Sequence, residues 1–489
     1  MYHQPSKRKL LIRRLISYGI MTIAVVTLVT VLVFVMLGYR YNGNDGKVEQ
    51  GGLVQFDTQP NGANVTIDNL PFGTRTPTRS TLTSGSHTIT MNRSGYGTWK
   101  KTVDVVPGSV LWLSYTRLVP TQLKPESAVN FTTVTSTSVS PDDKWMAVKE
   151  KSDTPEIKLS DISGDKVAAS AITVPSEDYT HPAPGKTQSF TIMDWDAGSR
   201  YLMLKHSYGG DRFEWLVVDT RDVSATKNVT KLLDIQATKM LFSGNDSQIL
   251  YTQIGSDVRK IDLGAATLSR PLVTDVAEFS VFDQRTIAYV TTLDPDTKTR
   301  TVGYYEDGDQ NANTIRSFQD DGKKPLHLAL GRYFGTMYEA IAYGDKITVY
   351  TSDDLPTTAA EASKLKETAS MNFTGGTQYL TNRTSGRFII AQQGDTFKTY
   401  DLELKKETTT KLKGTSKTAK KLDWLDGYIA YGDGNGMLRL YEFDGANQHD
   451  IMPVASGFEV TLSPNEKYLY GISKDKSGYH LERVQMILS

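Results

Sequence analysis

Histidine is the first place to look for acid–base or metal chemistry, and here it is thinly spread. The seven histidines stand at positions 3, 87, 181, 206, 327, 449 and 480, and no two are at metal-ligand spacing. Cysteine is absent, which removes thiolate zinc sites, cysteine nucleophiles, disulfides and lipoprotein acylation together. The chain contains no Gly-x-Ser-x-Gly elbow, no His-Glu-x-x-His, no P-loop and no dinucleotide fingerprint. Adjacent carboxylates occur at Asp142-Asp143, Asp320-Asp321 and Asp353-Asp354. Neighbouring side chains diverge along a strand or turn, so these pairs read as turn formers rather than acid/base dyads.

Two segments remain as candidate sites. Asp307-Gly308-Asp309-Gln310-Asn311-Ala312-Asn313 alternates oxygen donors like the start of a calcium loop. Ala312 stands where the sharp-turn glycine belongs and Phe318 where the bidentate glutamate belongs. The segment therefore reads as a solvated turn, with calcium binding as the alternative. Tyr208-Gly209-Gly210-Asp211-Arg212-Phe213-Glu214-Trp215 sets aromatics beside Arg and Asp, a recognition composition, although Phe213 and Trp215 equally suit a strand core. No catalytic residue, metal ligand or cofactor is assigned from sequence, and the ligand-binding residues stay unassigned.

Whatever the chain does, its elements are strands. Thr, Ser, Asp, Asn, Gly and Tyr are abundant and long apolar stripes at helical spacing are few, an all-β composition. Lys+Arg and Asp+Glu both number 55. Six of the basic residues and none of the acidic ones fall in positions 1–40, which leaves 49 against 55 beyond them. That mild acidity gives no support to nucleic-acid binding.

The exception to the strand pattern is the N-terminus. Residues 15–39 contain no charge. Twelve Ile, Leu, Val or Phe within 20–37 contribute about −4 to −7 kcal/mol on an insertion scale. A helix over 16–38 spans the ~30 Å hydrocarbon layer. Lys7, Arg8, Lys9, Arg13 and Arg14 precede it, so the positive-inside bias keeps the tail (1–15) cytoplasmic and the rest extracytoplasmic. A cleaved signal peptide has a shorter apolar region and a small-x-small site, and Val35-Met36-Leu37-Gly38 is a poor one. The expectation is an uncleaved single-pass anchor in a cell membrane, followed by a linker over 39–51.

Residues 52–122 alternate in short runs: Leu53-Val54-Gln55-Phe56, Ala63-Asn64-Val65-Thr66-Ile67 and His87-Thr88-Ile89-Thr90-Met91, separated by Pro60-Asn61-Gly62, Gly73, Pro77 and Gly85. With Asp68, Leu82, Gly95-Tyr96 and Trp99 in order, the segment resembles the PEGA domain, and Pro60-Asn61-Gly62-Ala63 stands at the tetrad that names the family. Asn61 replaces the glutamate, and Gly73 to Pro77 carries one residue more than the usual spacing. The resemblance implies a small β-sandwich of bacterial envelope and surface proteins, with spacing or binding roles and no catalysis. Its matched residues read as turn and core scaffold.

The remainder, 123–489, repeats. A short strand ending in an acidic residue recurs at Asp161, Asp219, Asp262, Glu306, Asp353, Asp401 and Asp444, at intervals of 58, 43, 44, 47, 48 and 43 residues. An eighth unit ends near 481–484. Tight turns precede apolar strands upstream of these, as in Ser140-Pro141-Asp142-Asp143 and Ser463-Pro464-Asn465-Glu466. A period of 40–50 residues with several short strands per unit predicts a β-propeller of seven or eight blades. The Ser-Pro-Asp/Asn turns resemble those of TolB-like and WD40-like propellers. Residues 356–370, rich in Ala, Glu and Lys, predict a short solvated helix on the rim.

The functional expectation is a non-enzymatic, membrane-anchored platform whose propeller contacts envelope or surface proteins or glycans. The alternatives are a carbohydrate-active hydrolase or lyase with a dispersed funnel site, and a structural spacer in envelope assembly.

Overall fold

The computed structural model describes residues 7–36, 38–42, 46–244, 246–382, 386–412 and 422–488. Residues 1–6 of the basic tail, 43–45 of the linker, Asn245 of one repeat turn, and 384–385 at the start of another repeat lie outside the described residues. The chain divides into two compact units, 1–122 and 123–489.

In the first unit, helix α1 (Lys7–Met36) contains a stretch, 11–36, long and apolar enough to cross a bilayer. Three of its hydroxyls are absorbed locally. Ser17, Thr22 and Thr30 each donate to the carbonyl four residues back, at 2.9, 2.9 and 2.8 Å. In a hydrocarbon layer that satisfies polar groups water cannot reach. The segment expected as a linker contains a hairpin, β1 (Tyr39–Asn42) with β2 (Lys47–Gln50), in which Tyr39 stands opposite Gln50.

Seven strands follow: β3 (Gly52–Gln59), β4 (Asn64–Ile67), β5 (Leu70–Arg75), β6 (Thr78–Leu82), β7 (Gly85–Asn92), β8 (Trp99–Val105) and β9 (Val110–Arg117). They form a β6-β3-β9 sheet and a β5-β4-β7-β8 sheet. Strands β3 and β9 run parallel; the other pairs are antiparallel. Val54, Phe56, Val65, Ile89, Met91, Trp99 and Leu113 fill the core, as the alternation requires. The turn residues earn their types. Gly62 has φ +91°, and its N–H and that of Ala63 both donate to the buried Thr76 hydroxyl, at 3.2 and 3.0 Å. Asp68 accepts from His87 Nδ1 at 2.6 Å and the Thr88 N–H at 2.8 Å, which joins the β4–β5 turn to β7.

The second unit contains eight four-stranded sheets among the described residues. Seven are consecutive meanders, over 136–173, 188–228, 237–268, 276–319, 326–372, 379–411 and 423–453. The eighth joins both ends of the unit: Glu126–Phe131 pairs antiparallel with Tyr479–Gln485, beside Tyr468–Lys474 and Thr461–Leu462. Between the eighth sheet and the first, Val139 N–H donates to Glu459 (2.6 Å) and the Thr461 hydroxyl to Asp143 (2.7 Å). First strands of neighbouring sheets touch one another, so they line the axis, and the unit is a β-propeller.

The repeat signal has a local cause. Asp161, Asp219, Asp262, Glu306 and Asp401 are the last residues of their sheets' third strands, while Asp353 and Asp444 follow just after. Their carboxylates cap the next turn: Asp161 accepts from Ser163 N–H, Asp219 from Arg221, Asp401 from Glu403 and Leu404, and Asp444 from Ala446. The two Ser-Pro turns are superposable in their bonding. Ser140 and Ser463 each bond the side chain two residues on, at 2.7 Å, and accept from the N–H five residues on, at 2.9 and 3.0 Å. Asp143 and Glu466 then take φ +56°.

One expected element is corrected. Within 356–370 the helix is only Ala359–Ala362, started by a Thr358/Glu361 capping box, and Lys366–Asn372 is the fourth strand of the fifth sheet. Helix propensity in this Ala-, Glu- and Lys-rich run lost to the ladder against Lys346–Thr351.

Gly303 lies at a bulge in the fourth sheet, where a Cβ would fall 2.1 Å from the Asn313 carbonyl oxygen and 2.5 Å from the Tyr289 hydroxyl. Gly303→Ala is expected to destabilise the unit by about 1–3 kcal/mol, read as a lower denaturant midpoint at unchanged slope.

Candidate functional site

A cavity of about 590 Å³ opens along the axis between the first strands of the third to sixth sheets. Its charged groups are already engaged. Lys239 Nζ donates to the Phe279 carbonyl at 2.6 Å and sits 4.6 Å from that ring's centre. Glu278 pairs with His327 Nδ1 at 3.0 Å, while His327 Nε2 faces the Thr377 carbonyl at 3.1 Å.

A second cavity, about 530 Å³, runs outward between the fourth and fifth sheets and shares Phe282 and Arg332 with the first. Axis and groove therefore meet at these two residues. Arg332 Nη2 donates to Asp354 at 2.9 Å, leaving half of the side chain exposed. Arg285 donates to the Asp307 carbonyl at 2.6 Å and lies 3.8 Å from Glu306. Burial pushes the Tyr304 phenol up to about 12, away from proton exchange near neutrality, and its hydroxyl donates to the Pro356 carbonyl.

At the same end of the fifth sheet's first strand, the hairpin turns over Phe334-Gly335 alone. Phe334, 86 % exposed at φ +46°, packs edge-on against Tyr333 at 4.5 Å and offers its outer face to solvent. Gly386 meets this strand so closely that a Cβ would lie 2.1 Å from the Arg332 carbonyl oxygen. The groove is thus lined by two guanidinium groups and three carboxylates (Asp283, Glu306 and Asp354), and the aromatic knob stands two residues beyond Arg332. Such a surface can grip an extended chain by ring contact and bidentate hydrogen bonds.

The sequence candidates fall elsewhere. Residues 307–312 form the turn between the third and fourth strands of the fourth sheet, and Asn313 opens the fourth. Its Asp307 carboxylate is taken by Lys260 at 2.6 Å and its Asp309 carboxylate by Asn313 at 2.7 Å. Arg285 and Arg270 bond its carbonyls, so its oxygens face cations of the protein itself. In the 208–215 segment Trp215 is core, with its indole N–H on the Ala237 carbonyl at 2.7 Å, and Lys205 lies 4.0 Å from the Phe213 ring centre. Asp142 bonds Ser140 and Lys144, whereas Asp143 turns to Thr461. Burial raises the Asp143 carboxyl, Thr461 lowers it, and Asp142 raises it further.

Sequence reasoning missed a buried network in the second sheet. Glu214 accepts from His206 Nδ1 (2.8 Å), Thr180 N–H (2.6 Å), the Thr180 hydroxyl (2.8 Å) and Asn228 Nδ2 (2.9 Å). His206 stacks on Phe190 with ring centres 4.1 Å apart. A signal was present: a turn centred on Gly210 places 206 opposite 214 in the hairpin register. Both side chains are closed off from solvent, so the network holds structure and does no surface chemistry.

Comparison with solved structures returns propellers at low identity. The C-terminal WD40 domain of Sif2 aligns at 10 % identity and TM-score 0.47, covering 75 % of this chain and 99 % of that one. The Dos1 propeller aligns at 12 % identity and TM-score 0.47, covering 75 % and 96 %. An oligogalacturonate lyase in complex with manganese aligns at 10 % identity and TM-score 0.41, covering 73 % and 98 %. Comparison with curated proteins returns no matching relative. The family model for the PEGA domain matches residues 52–122, the β3–β9 sandwich, and that segment of the chain is a PEGA domain.

Proposed function

We propose that this chain is a non-catalytic binding protein, held in a membrane by residues 11–36 with its basic tail in the cytoplasm, and that its propeller docks extracytoplasmic protein segments at the channel mouth. The carrying observation is Phe334, an 86 % exposed ring two residues along the chain from Arg332, which lines both cavities. An exposed aromatic near an arginine at the edge of a groove has the composition of a binding hot spot. Opposite charges paired along the groove favour a polypeptide over a glycan, because each guanidinium and carboxylate can exchange its partner for a peptide group.

The test is retention of native membrane proteins by the full chain in nanodiscs, with and without Phe334→Ala. The variant should keep its Tm within about 1 °C, since the ring is exposed, and lower retention about tenfold or more. Equal retention by both forms, or capture of glycans alone on an array, would overturn the reading.

A further inference from the structure

We propose that the PEGA domain lies directly on the bilayer, with the β8–β9 turn and the outward face of β9 set into the lipid interface. The proposal rests on residues 11–36 being a membrane span, and its observations come from the other end of that span.

A short ladder of backbone hydrogen bonds leads from the helix to the sandwich. Gly38 N–H donates to the Val35 carbonyl in the last helical turn, at 3.1 Å. Gly51 N–H donates to the Gly38 carbonyl at 3.0 Å, and Gly108 N–H to the Gly51 carbonyl at 2.9 Å. Leu53 N–H then donates to the Ser109 carbonyl at 2.9 Å. Three bonds thus connect the helix exit to the β8–β9 turn. The intervening hairpin adds no reach, because Tyr39 and Gln50 at its base face each other. A domain joined so tightly has one end at the membrane surface wherever the helix leaves it.

That end is apolar where a water-facing turn would be polar. Val106 is 58 % exposed, Pro107 is exposed beside it, and Val48 on the hairpin is exposed as well. Along β9, Leu111 and Leu113 point into the core, so alternation sends Val110 and Trp112 outward, the latter 43 % exposed. Strand β9 is also the edge of its sheet, a place where exposed apolar rows are normally covered.

Height selects lipid as the cover. Trp112 stands two residues beyond Val110, about 7 Å along the strand. The headgroup layer is roughly 5–8 Å deep on each side, and tryptophan concentrates there. Glu49 and Asp104 lie at the same end, so contact would be apolar and independent of anionic lipid.

Because the chain has no cysteine, single thiols can be introduced without background. The full chain is reconstituted in phosphatidylcholine vesicles with a nitroxide at Val106→Cys, at Val26→Cys in the helix, or at Asn61→Cys at the far end of β3. Power saturation with oxygen and a nickel chelate then reads depth. Val26 and Val106 labels should favour oxygen over nickel, and the Asn61 label should be water-like. Adding Trp112→Ala should move the Val106 label toward the Asn61 value at unchanged Tm. A water-like Val106 beside a lipid-like Val26 overturns the proposal while leaving the anchor intact. A water-like Val26 overturns the anchor itself. Spin–spin broadening at Val106 would show a second copy covering β9, which also overturns it.

Discussion

Arg387→Met is expected to lower propeller stability by about 3–5 kcal/mol, or roughly 4–6 °C in Tm for a unit of this size, which calorimetry will read. Arg387 is buried immediately before the sixth sheet's second strand, and its guanidinium is fully employed. Nε and Nη2 donate to the two oxygens of Asp401, at 3.0 and 2.7 Å, and Nη1 lies 2.6 Å from Glu403. Tyr333 of the preceding sheet donates to Glu403 at 2.8 Å, so the cluster also ties two sheets together. Methionine fills much of the volume but leaves the buried Asp401 carboxylate without a cation.

The cost therefore belongs to the stranded charge, and a second substitution separates it from lost packing. In the Arg387→Met background, Asp401→Asn removes the charge and keeps an acceptor for the Glu403 and Leu404 N–H groups. The double variant should recover about 1.5 kcal/mol or more of the loss. Equal loss in single and double variants would locate the cost elsewhere. The second sheet supplies a comparison at the same register: Arg200 pairs bidentately with buried Asp219, but Arg200 is itself 42 % exposed. Water can replace a partly exposed guanidinium, so Arg200→Met should cost no more than half as much.

These two pairs show what the sequence made legible and what it did not. The acidic residue closing each third strand was visible because its job is local, a turn cap two or three residues long. The arginine that neutralises it in two sheets was not, since only the hairpin register sets Tyr201 opposite Asp219 and Phe388 opposite Asp401, with Arg200 and Arg387 one residue before them within reach of the carboxylates. The weakest repeat, around 333–343, has a physical reason too. Its hairpin turns on Phe334-Gly335 with no Asp, Asn or Ser in the turn, so the usual signature is missing just where the candidate binding knob is formed. The sandwich was legible for the converse reason: Gly62, Asp68 and Gly85 each mark a turn through their own backbone or side-chain chemistry. The channel mouth gathers residues from three sheets, 282, 332 and 386 among them, and no local pattern announces such a junction.

Glu214→Gln should be nearly as damaging as Glu214→Ala, about 3–5 kcal/mol at neutral pH, although it changes only one atom. Four donors converge on this carboxylate, which uses all of its acceptor capacity. Glutamine brings one acceptor and two donors, so an N–H group would face His206, Thr180 or Asn228 donors. Two segments are pinned by the network: the loop bearing Thr180, and the short helix Val229–Leu233, whose N-cap is Asn228. Backbone exchange should quicken in both before the rest of the second sheet responds. The pH dependence carries an independent sign. Burial alone would raise the Glu214 carboxyl, but the bonds from His206, Asn228 and Thr180 outweigh it and hold the group near about 2. The unfolded chain therefore takes up this proton first as pH falls, so the stabilisation is whole above about pH 4.5 and drains away toward pH 2. That contribution is ~3 kcal/mol. Urea midpoints of wild type and Glu214→Gln should thus converge as pH drops from 4.5 to 2. A gap that stays constant over that range would mean the carboxylate is not held ionised by this network.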